Sequence, residues 1–280
     1  MNPHMPSRKT MPSLQDARLP HLYVLSGAGL SAESGIATYR SGHGIWSRFS
    51  PDQVGNFRTW RKNRGEIFGF FNDRLLEVRA ASPNAAHRLL AGWQRQWGAD
   101  RVHLITQNVD DLLERAGAAD VIHLHGDFTS LVCTGCRHRF AAGGESLDPG
   151  TACPLCGKVE PVKPGVVLFG EDAPMYAKLT RMTEELRPQD IIVAVGTSFM
   201  VVTPYMFVPF ERYARNTRNV LVDPNPQCTD LFGVVEVATA TVGLTAIAES
   251  LTSIMNGDPG AEFTQTTSLP VSVADDPRGT

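Results

Sequence analysis

Four cysteines in the middle of the chain are spaced like metal ligands. They form two CxxC pairs separated by sixteen residues, Cys133 with Cys136 and Cys153 with Cys156. Each pair places two thiolates on one tight turn, and two such turns can surround a Zn²⁺ ion with four sulfurs. Because four thiolates leave no position open for water, the predicted zinc site is structural. Spacing alone also allows two redox-active pairs or free thiols.

Glycines beside the cysteine pairs are expected to help the chain turn. Gly135 lies inside the first pair and Gly157 directly follows the second, where tight turns need backbone freedom. A fifth cysteine, Cys228, stands far from the others and is interpreted as a packed or surface thiol.

A glycine-rich loop near the start of the chain has the composition of a phosphate-binding turn. The apolar run HLYVL (21–25) leads into Gly27, Ala28 and Gly29, and a short helix is predicted to open at Ser31. Small residues let backbone N–H groups approach a phosphate, and a helix N-terminus favours its charge. The loop alone is a weak signal, because its order differs from GxGxxG and strand–glycine turns occur in many folds.

Amide and carboxylate side chains follow another predicted strand. Gln107, Asn108 and Asp110 come after the apolar run VHLIT (102–106). Together they offer donors and acceptors to a polar ligand. Alternatively, Asn108 and Asp110 cap the helix predicted over 110–117, and Asp110 is compatible with both roles.

Apolar strands alternate with helical segments through most of the chain. Strands are predicted at 21–25, 102–106, 120–126, 166–170, 190–196, 219–223 and 234–239, and helices at 84–97, 110–117, 174–187, 203–215 and 244–255. Near-continuous apolar strands indicate a parallel sheet covered on both faces. Glycine turns at several strand ends favour an α/β, doubly wound, Rossmann-like fold with its ligand at the carboxyl ends of the strands.

Two segments interrupt this alternation. Residues 43–80 are predicted to be a helical insertion and 128–164 a zinc-binding module, and together they would form a smaller inserted lobe. The Rossmann-like domain is then made of 20–42, 81–127 and 165–255. The polar, aperiodic ends 1–19 and 256–280 are predicted to be disordered tails.

The bulk composition is that of an ordinary globular protein. The chain has 280 residues, of which 42% are hydrophobic and 20% charged, and a net charge of −3, which does not favour a large nucleic-acid-binding face. No apolar run is long enough to span a bilayer, and the beginning of the chain lacks the apolar core of a secretory signal. We therefore expect a cytoplasmic protein without membrane or direct nucleic-acid partners.

Motifs along the chain resemble, in the same order, those of the sirtuin family. The resemblance runs from about residue 21 to 254 and includes the four cysteines at the expected place. Three segments resemble the NAD-binding signatures: GAGLSAESGIATYR (27–40), TQNVDDL (106–112) and His125-Gly126. PNAAHRLL (83–90) is similar to the helix before the second signature. VVLFGE (166–171) resembles the substrate-clamping segment, and Gly196-Thr197-Ser198 resembles the late ribose and phosphate loop.

The resemblance implies an NAD-dependent protein-lysine deacylase. Such enzymes cleave nicotinamide from NAD, use the acyl-lysine oxygen as the nucleophile on the ribose, and release the lysine and O-acyl-ADP-ribose. NAD is the implied cofactor, zinc the implied structural metal, and an acyl-lysine protein or peptide the implied partner.

The resemblance also implies roles for individual residues. Gly27, Ala28, Gly29 and Ser31 would hold the pyrophosphate, and Arg40 would order the loop that covers the cofactor. The complete implied cofactor-binding set is Gly27, Ala28, Gly29, Ser31, Tyr39, Arg40, Gln107, Asn108, Asp110, His125, Gly196, Thr197, Ser198 and Asp223. The implied catalytic residues are His125, Asn108 and Asp110, and the implied substrate-binding residues are Val167, Phe169, Gly170, Phe71 and Arg74.

His125 is the implied general base, which takes a proton from a ribose hydroxyl. Imidazole suits this role because its ordinary pKa lies near neutral pH. A lone histidine after a strand is more often structural, and His123, expected on the same face of the same strand, is the competing candidate. His125 is preferred because it stands at the predicted strand end, before Gly126 and the cysteines.

Several positions depart from the family pattern and leave the acyl substrate open. Ala37 and Tyr39 replace the usual Pro and Phe of the first signature, and Asp223 replaces an adenosine-contacting Asn, although a carboxylate still accepts from ribose hydroxyls. Phe71 replaces the Tyr of a Tyr-x-x-Arg pattern found in sirtuins that remove acidic acyl groups, whereas Arg74 is retained. Arg74 could pair with a succinyl-type carboxylate, or be an ordinary solvated arginine.

Two other functions stay open on the sequence. Ala37 and Tyr39 are compatible with an ADP-ribosyltransferase or NAD glycohydrolase on the same fold, which differ in what attacks the ribose carbon. A non-catalytic NAD or ADP-ribose sensor is disfavoured, since the candidate base His125 is present.

Overall fold

The computed structural model describes residues 19–38, 55–209 and 217–263. Some predictions lie outside these residues: those for the tails 1–18 and 264–280, for the first part of the helical insertion (43–54), for the end of the helix predicted over 203–215 (210–215), and for Tyr39 and Arg40.

Six parallel strands form the larger sheet, in the order β3-β2-β1-β7-β8-β9. These strands are β1 Leu22–Ser26, β2 Val102–Thr106, β3 Val121–His123, β7 Ile191–Val195, β8 Asn219–Val222 and β9 Val234–Glu236. Leu22 of β1 is paired with Val102 on one side and Ile191 on the other. The order of strands therefore reverses between β1 and β7, which is the switch point where doubly wound folds bind ligands.

Both faces of this sheet are covered. The described helices are α1 Gly29–Ala32, α2 Arg64–Ala80, α3 Ala85–Trp97, α4 Leu112–Arg115, α5 Tyr176–Glu184 and α6 Ala240–Asn256. Leu22 and Val24 of β1 belong to the core under α3 and α6, whereas Leu25 belongs to the opposite core, which includes Leu179 of α5. The prediction of a doubly wound α/β fold is confirmed. Among the described residues, no helix combines the length and the apolarity needed to cross a membrane.

A smaller antiparallel sheet forms a second lobe. It contains β4 Gly126–Cys133, β5 Arg139–Ala141 and β6 Val162–Val166, in the order β5-β4-β6. Helix α2 packs against it around a separate core that includes Trp60, Phe68 and Leu131. The small lobe thus joins part of the helical insertion to the cysteine module, and its sheet extends two residues beyond 128–164 at each end.

Two strand predictions were wrong in extent. The segment predicted as one strand over 120–126 contains all of β3 and the first residue of β4, with His125 in the turn between them. The strand predicted over 166–170 lies earlier, because β6 ends at Val166. Pro164 and Gly165 concealed β6, since both residue types are rare in strands, but β6 is an edge of the described sheet, where proline is tolerated.

Two predictions near the end of the chain also need correction. Within the described residues, the helix predicted over 203–215 is a single 3₁₀ turn, Pro204–Met206, because Pro209 cannot continue a helix. The tail predicted from residue 256 begins too early, since Asn256 ends α6 and Phe263 is buried in the core.

Candidate active site and metal centre

The glycine loop after β1 lies directly against the loop after β7. Gly27 N donates to Val195 O at 3.0 Å, and Gly29 N donates to Gly196 O at 2.9 Å. A Cβ on Gly29 would come within 2.6 Å of the Gly196 Cα, and Gly196 itself has a φ of +60°. Glycine is therefore required on both sides of this contact. The two loops predicted to bind NAD meet at the switch point of the sheet.

The segment after β2 connects these loops through its side chains. Gln107 Nε2 donates to Thr197 Oγ1 at 2.9 Å. Asn108 Nδ2 donates to Gly27 O at 3.0 Å and to Ser31 Oγ at 3.1 Å. The structure thus brings three separated sequence motifs into one polar network.

Asp110 completes this network. The Ser31 hydroxyl donates to Asp110 Oδ2 at 2.9 Å, and both residues are buried. Burial raises the pKa of the Asp110 carboxyl, although the hydrogen bond from Ser31 opposes the shift. Asp110 Oδ1 also accepts from Leu112 N at 3.2 Å, so the carboxylate orders the start of α4 as well.

His125 presents one ring nitrogen for chemistry. Its Nδ1 lies 3.0 Å from the Gln107 carbonyl oxygen, and its Nε2 lies 2.9 Å from the Tyr176 hydroxyl. A carbonyl oxygen only accepts, so Nδ1 carries the proton and Nε2 keeps its lone pair. Burial lowers the pKa of His125, which favours the neutral ring that a general base needs.

The competing candidate, His123, is held by acceptors. Its Nδ1 lies 2.9 Å from Asn108 O and its Nε2 lies 2.8 Å from Glu114 Oε1. Burial lowers the pKa of His123, but the contacts with Glu114 and Asn108 and the charge of Asp127 together outweigh burial, so the net shift is upward. Two acceptors favour a protonated ring, so the geometry supports His125 rather than His123 as the base.

The clamping segment passes beside this histidine. Val167 N donates to His125 O at 2.8 Å, and Phe169 N donates to Gly55 O at 2.6 Å. Phe169 is 49% exposed, and Gly170 adopts a φ of +78°. An exposed ring on irregular backbone near the base fits a substrate-contacting segment, and this role of Val167, Phe169 and Gly170 stays a prediction.

A buried lysine that the sequence did not single out holds the clamping segment. Lys163 Nζ lies 3.0 Å from Glu171 Oε2 and donates to Val166 O at 2.6 Å. The same Glu171 oxygen accepts from Leu168 N at 2.9 Å. Burial lowers the pKa of Lys163, and Glu171 opposes that shift. The ion pair thus ties the beginning of the segment to its end.

Arg74 reaches a cavity beside the polar network. This cavity is lined by Arg74 and Glu77 of α2 together with Ala28, Asn108 and Asp110. Arg74 is 8% exposed, and its Nη2 lies 2.6 Å from Glu77 Oε1. Its buried Nε and Nη1 have no hydrogen-bond partner among the described residues. Arg74 is therefore not a solvated arginine.

Phe71, Asp223 and Ser198 are the other predicted binding residues that the structure describes. Phe71 is buried and packs against Phe70 and Phe128. Phe128 lines the cavity that Arg74 reaches, whereas Phe70 and Phe71 do not. Asp223 follows β8, its Oδ1 accepts from Asn225 N at 2.8 Å, and burial raises the pKa of its carboxyl. Ser198 is exposed at the end of the β7 loop.

The four paired cysteines come together in the small lobe. All four sulfurs lie within 4.8 Å of one another, with Cys133 and Cys156 3.7 Å apart and Cys136 and Cys153 3.6 Å apart. Four sulfurs placed tetrahedrally at about 2.3 Å from Zn²⁺ are about 3.8 Å from each other. The donor set and spacing therefore fit a structural zinc ion, whereas Cys228 lies outside the cluster.

The two cysteine turns share one backbone pattern. Arg137 N donates to Cys133 O, and Gly157 N donates to Cys153 O, both at 2.8 Å. Arg137 and Gly157 occupy equivalent positions and have φ values of 62° and 72°. The prediction for Gly157 is confirmed, but that for Gly135 was wrong, because the left-handed residue follows the first pair instead of lying inside it.

Comparison with known proteins identifies the family. Residues 27–204 match the model of the Sir2 family. An NAD-dependent protein deacylase of Helicobacter hepaticus is 40% identical over 200 residues, covering 66% of this chain and 77% of the relative. NAD-dependent protein deacylase 1 of Archaeoglobus fulgidus is 37% identical over 221 residues, covering 79% and 87%.

Solved structures agree with this match. A Sir2 homologue in complex with NAD is 31% identical, with a TM-score of 0.70 over 85% of this chain and 92% of that one. A mutant Sir2 homologue in complex with 2′-O-acetyl ADP-ribose is also 31% identical, with a TM-score of 0.66 over 86% and 92%. The fold, the site and these matches together show that the chain belongs to the Sir2, or sirtuin, family.

Proposed function

We propose that this chain is an NAD-dependent protein-lysine deacylase. The observation that carries the proposal is the contact of His125 Nδ1 with the carbonyl oxygen of Gln107, whose side chain in turn donates to Thr197 in the loop after β7. In a neutral ring this contact places the lone pair on Nε2. Relatives named as NAD-dependent deacylases, and a homologue bound to 2′-O-acetyl ADP-ribose, support the proposal. The acyl group would move from lysine to ADP-ribose with release of nicotinamide.

Each part of the site has a role in this reaction. Gly27, Ala28, Gly29 and Ser31 hold phosphate, while Gly196, Thr197 and Ser198 meet ribose and phosphate. Gln107, Asn108 and Asp110 orient the nicotinamide end, and His125 takes the ribose proton as the acyl oxygen attacks. Val167, Phe169 and Gly170 pair with an extended acyl-lysine peptide. Structural zinc stabilises the small lobe, and a cytoplasmic location stays a prediction from composition.

Mass spectrometry of an acetyl-lysine peptide incubated with NAD tests the activity. We expect peptide-dependent release of nicotinamide and formation of acyl-ADP-ribose, both lost in His125→Ala. The matched control is His123→Gln, which should keep most of the activity because His123 is held by Glu114. Nicotinamide release without peptide would instead indicate a glycohydrolase, and ADP-ribose on a protein would indicate a transferase.

We also infer that Arg74 extends the substrate range to acidic acyl groups. Arg74 lines the same cavity as Asn108 and Asp110, and its buried Nε and Nη1 have no hydrogen-bond partner among the described residues. A succinyl-type carboxylate would supply acceptors to this guanidinium. Glu77 competes for the same guanidinium. Phe71 provides packing behind Phe128 and no hydroxyl of its own.

Two substitutions on α2 test this preference in opposite directions. Arg74→Met should remove desuccinylation and leave deacetylation intact, whereas Glu77→Gln should increase desuccinylation by freeing the guanidinium. Rates on matched acetyl and succinyl peptides give the comparison. An equal loss on both peptides in Arg74→Met would show that Arg74 is only structural.

A further inference from the structure

The lone pair that His125 must use is already engaged inside the protein. The Gln107 carbonyl fixes the proton on Nδ1, so Nε2 is an acceptor. The hydroxyl of Tyr176 lies 2.9 Å from Nε2 and must therefore donate to it. Nε2 has one lone pair, so it cannot accept from Tyr176 and from a ribose hydroxyl along the same direction.

Tyr176 is well placed to hold the imidazole without blocking it permanently. It is the first residue of α5, five residues after Glu171 of the clamping segment, and it is only half-buried. The Tyr176 ring packs at the edge of the core that contains Leu179. It is tilted by 53° from the imidazole ring of His125, and the two ring centroids are 5.9 Å apart. The hydroxyl is thus the group that joins the two residues.

The clamping segment touches His125 on its other side as well. Val167 N donates to the backbone oxygen of His125. The chain then continues from the clamping segment to Tyr176, whose hydroxyl contacts the ring of the same histidine. A substrate peptide that moves this segment would also move Tyr176.

Other titratable groups near His125 have partners of their own. His123 contacts Glu114, Asp127 contacts Arg139, and Glu171 contacts Lys163. Burial raises the pKa of Tyr176, which keeps the phenol protonated as a donor. Burial lowers the pKa of His125, and the hydrogen bond with the Gln107 backbone opposes that shift.

We propose that Tyr176 is a positioning residue for the base: its hydroxyl holds Nε2 of His125 in the ligand-free protein and is exchanged for a ribose hydroxyl when NAD and the acyl-peptide bind. The ring is thereby kept neutral and oriented until the substrate replaces the phenol. No bond other than hydrogen bonds is made or broken in this exchange. The inference rests on the proposed function of His125, but the contact itself is testable without turnover.

Tyr176→Phe removes the hydroxyl and keeps the ring that packs on the core. In the full-length, ligand-free protein, imidazole NMR should show the pKa of His125 rising by roughly half to one unit, because the neutral ring loses one hydrogen bond. His125→Ala identifies the resonance. Tyr23→Phe is the matched control, since Tyr23 is a core tyrosine of β1, and it should leave this pKa unchanged.

Kinetics of the same variant separate positioning from direct catalysis. The contact must break before proton transfer, so Tyr176→Phe should raise kcat/KM above neutral pH about two- to tenfold and move its acidic limb upward with the pKa. An unchanged His125 pKa would overturn the contact. A shifted pKa with kcat reduced a hundredfold would show that Tyr176 acts in the chemical step, contrary to the proposal. Absence of deacylation in the unmodified protein, with the pKa shift present, would reject the deacylase function and not the contact.

Discussion

Ser31 is the residue on which the polar network depends. Its hydroxyl accepts from Asn108 and donates to Asp110, and the three side chains are buried. Removing the hydroxyl leaves a buried amide and a buried carboxylate each short of a partner. Unsatisfied buried groups are costly, because they have lost water without a replacement.

Ser31→Ala should therefore lower the free energy of unfolding by about 1–3 kcal/mol and raise the KM for NAD. Urea denaturation and steady-state kinetics measure the two effects. Ser34→Ala is the matched control, because the Ser34 hydroxyl lacks a hydrogen-bond partner among the described residues. Equal effects of the two substitutions would contradict the assigned role of Ser31.

At the scale of elements, motifs made of neighbouring residues could be recognised in the sequence alone. Each CxxC pair and each glycine loop lies within a few residues, and the structure brings the four paired cysteines together and sets the two glycine loops against each other. Contacts between distant segments could not be predicted in the same way: Tyr176 meets His125 across 51 positions of sequence. The strand predicted over 166–170 was placed too late, because the Lys, Pro and Gly of β6 are unusual in strands and the pairing of β6 with β4 overrides that preference.

The clamping segment is held by the ion pair between Lys163 of β6 and Glu171. Lys163 is 2% exposed, so replacing it by Met leaves Glu171 without its buried partner. Removing one member of a buried ion pair lowers the free energy of unfolding by about 3–5 kcal/mol. Because the pair holds the segment proposed to contact the peptide, the KM for peptide should rise more than the KM for NAD.

Thermal unfolding and separate titrations of the two substrates measure the effects of Lys163→Met. Lys158→Met in the exposed part of the small lobe provides the control. The double variant Lys163→Met, Glu171→Gln should recover part of the lost stability, since it removes the uncompensated charge as well. Independent, additive effects of the two substitutions would refute the coupling.

At the scale of the whole molecule, buried histidines make stability depend on pH. Burial lowers the pKa of His87 and of His103 to about 4, while an unfolded histidine titrates near 6.5. The stability that these two histidines contribute in their neutral form is therefore present above pH 6.5 and is lost as the pH falls towards 4. His123, whose pKa is raised, acts in the opposite direction.

Lowering the pH from 7 to 5 should decrease the free energy of unfolding by about 2 kcal/mol for each of His87 and His103. The opposing effect of His123 should reduce this total. Urea midpoints across this range measure the slope. His103→Gln should flatten it without changing the slope due to His87. A variant slope equal to that of the unmodified protein would mean that His103 does not titrate on unfolding.

Zinc is expected to stabilise one lobe rather than the whole molecule. The four cysteines join the β4–β5 hairpin to the second cysteine turn, and the small lobe has a core distinct from the two cores of the parallel sheet. Chelation should release about one zinc per chain and increase hydrogen exchange in β4 and β6, while β1 and β7 stay protected. Cys133→Ser should reproduce this pattern, and Cys228→Ser, at the exposed cysteine outside the cluster, should not. Equal loss of protection in both sheets would show instead that the lobes unfold as one cooperative unit.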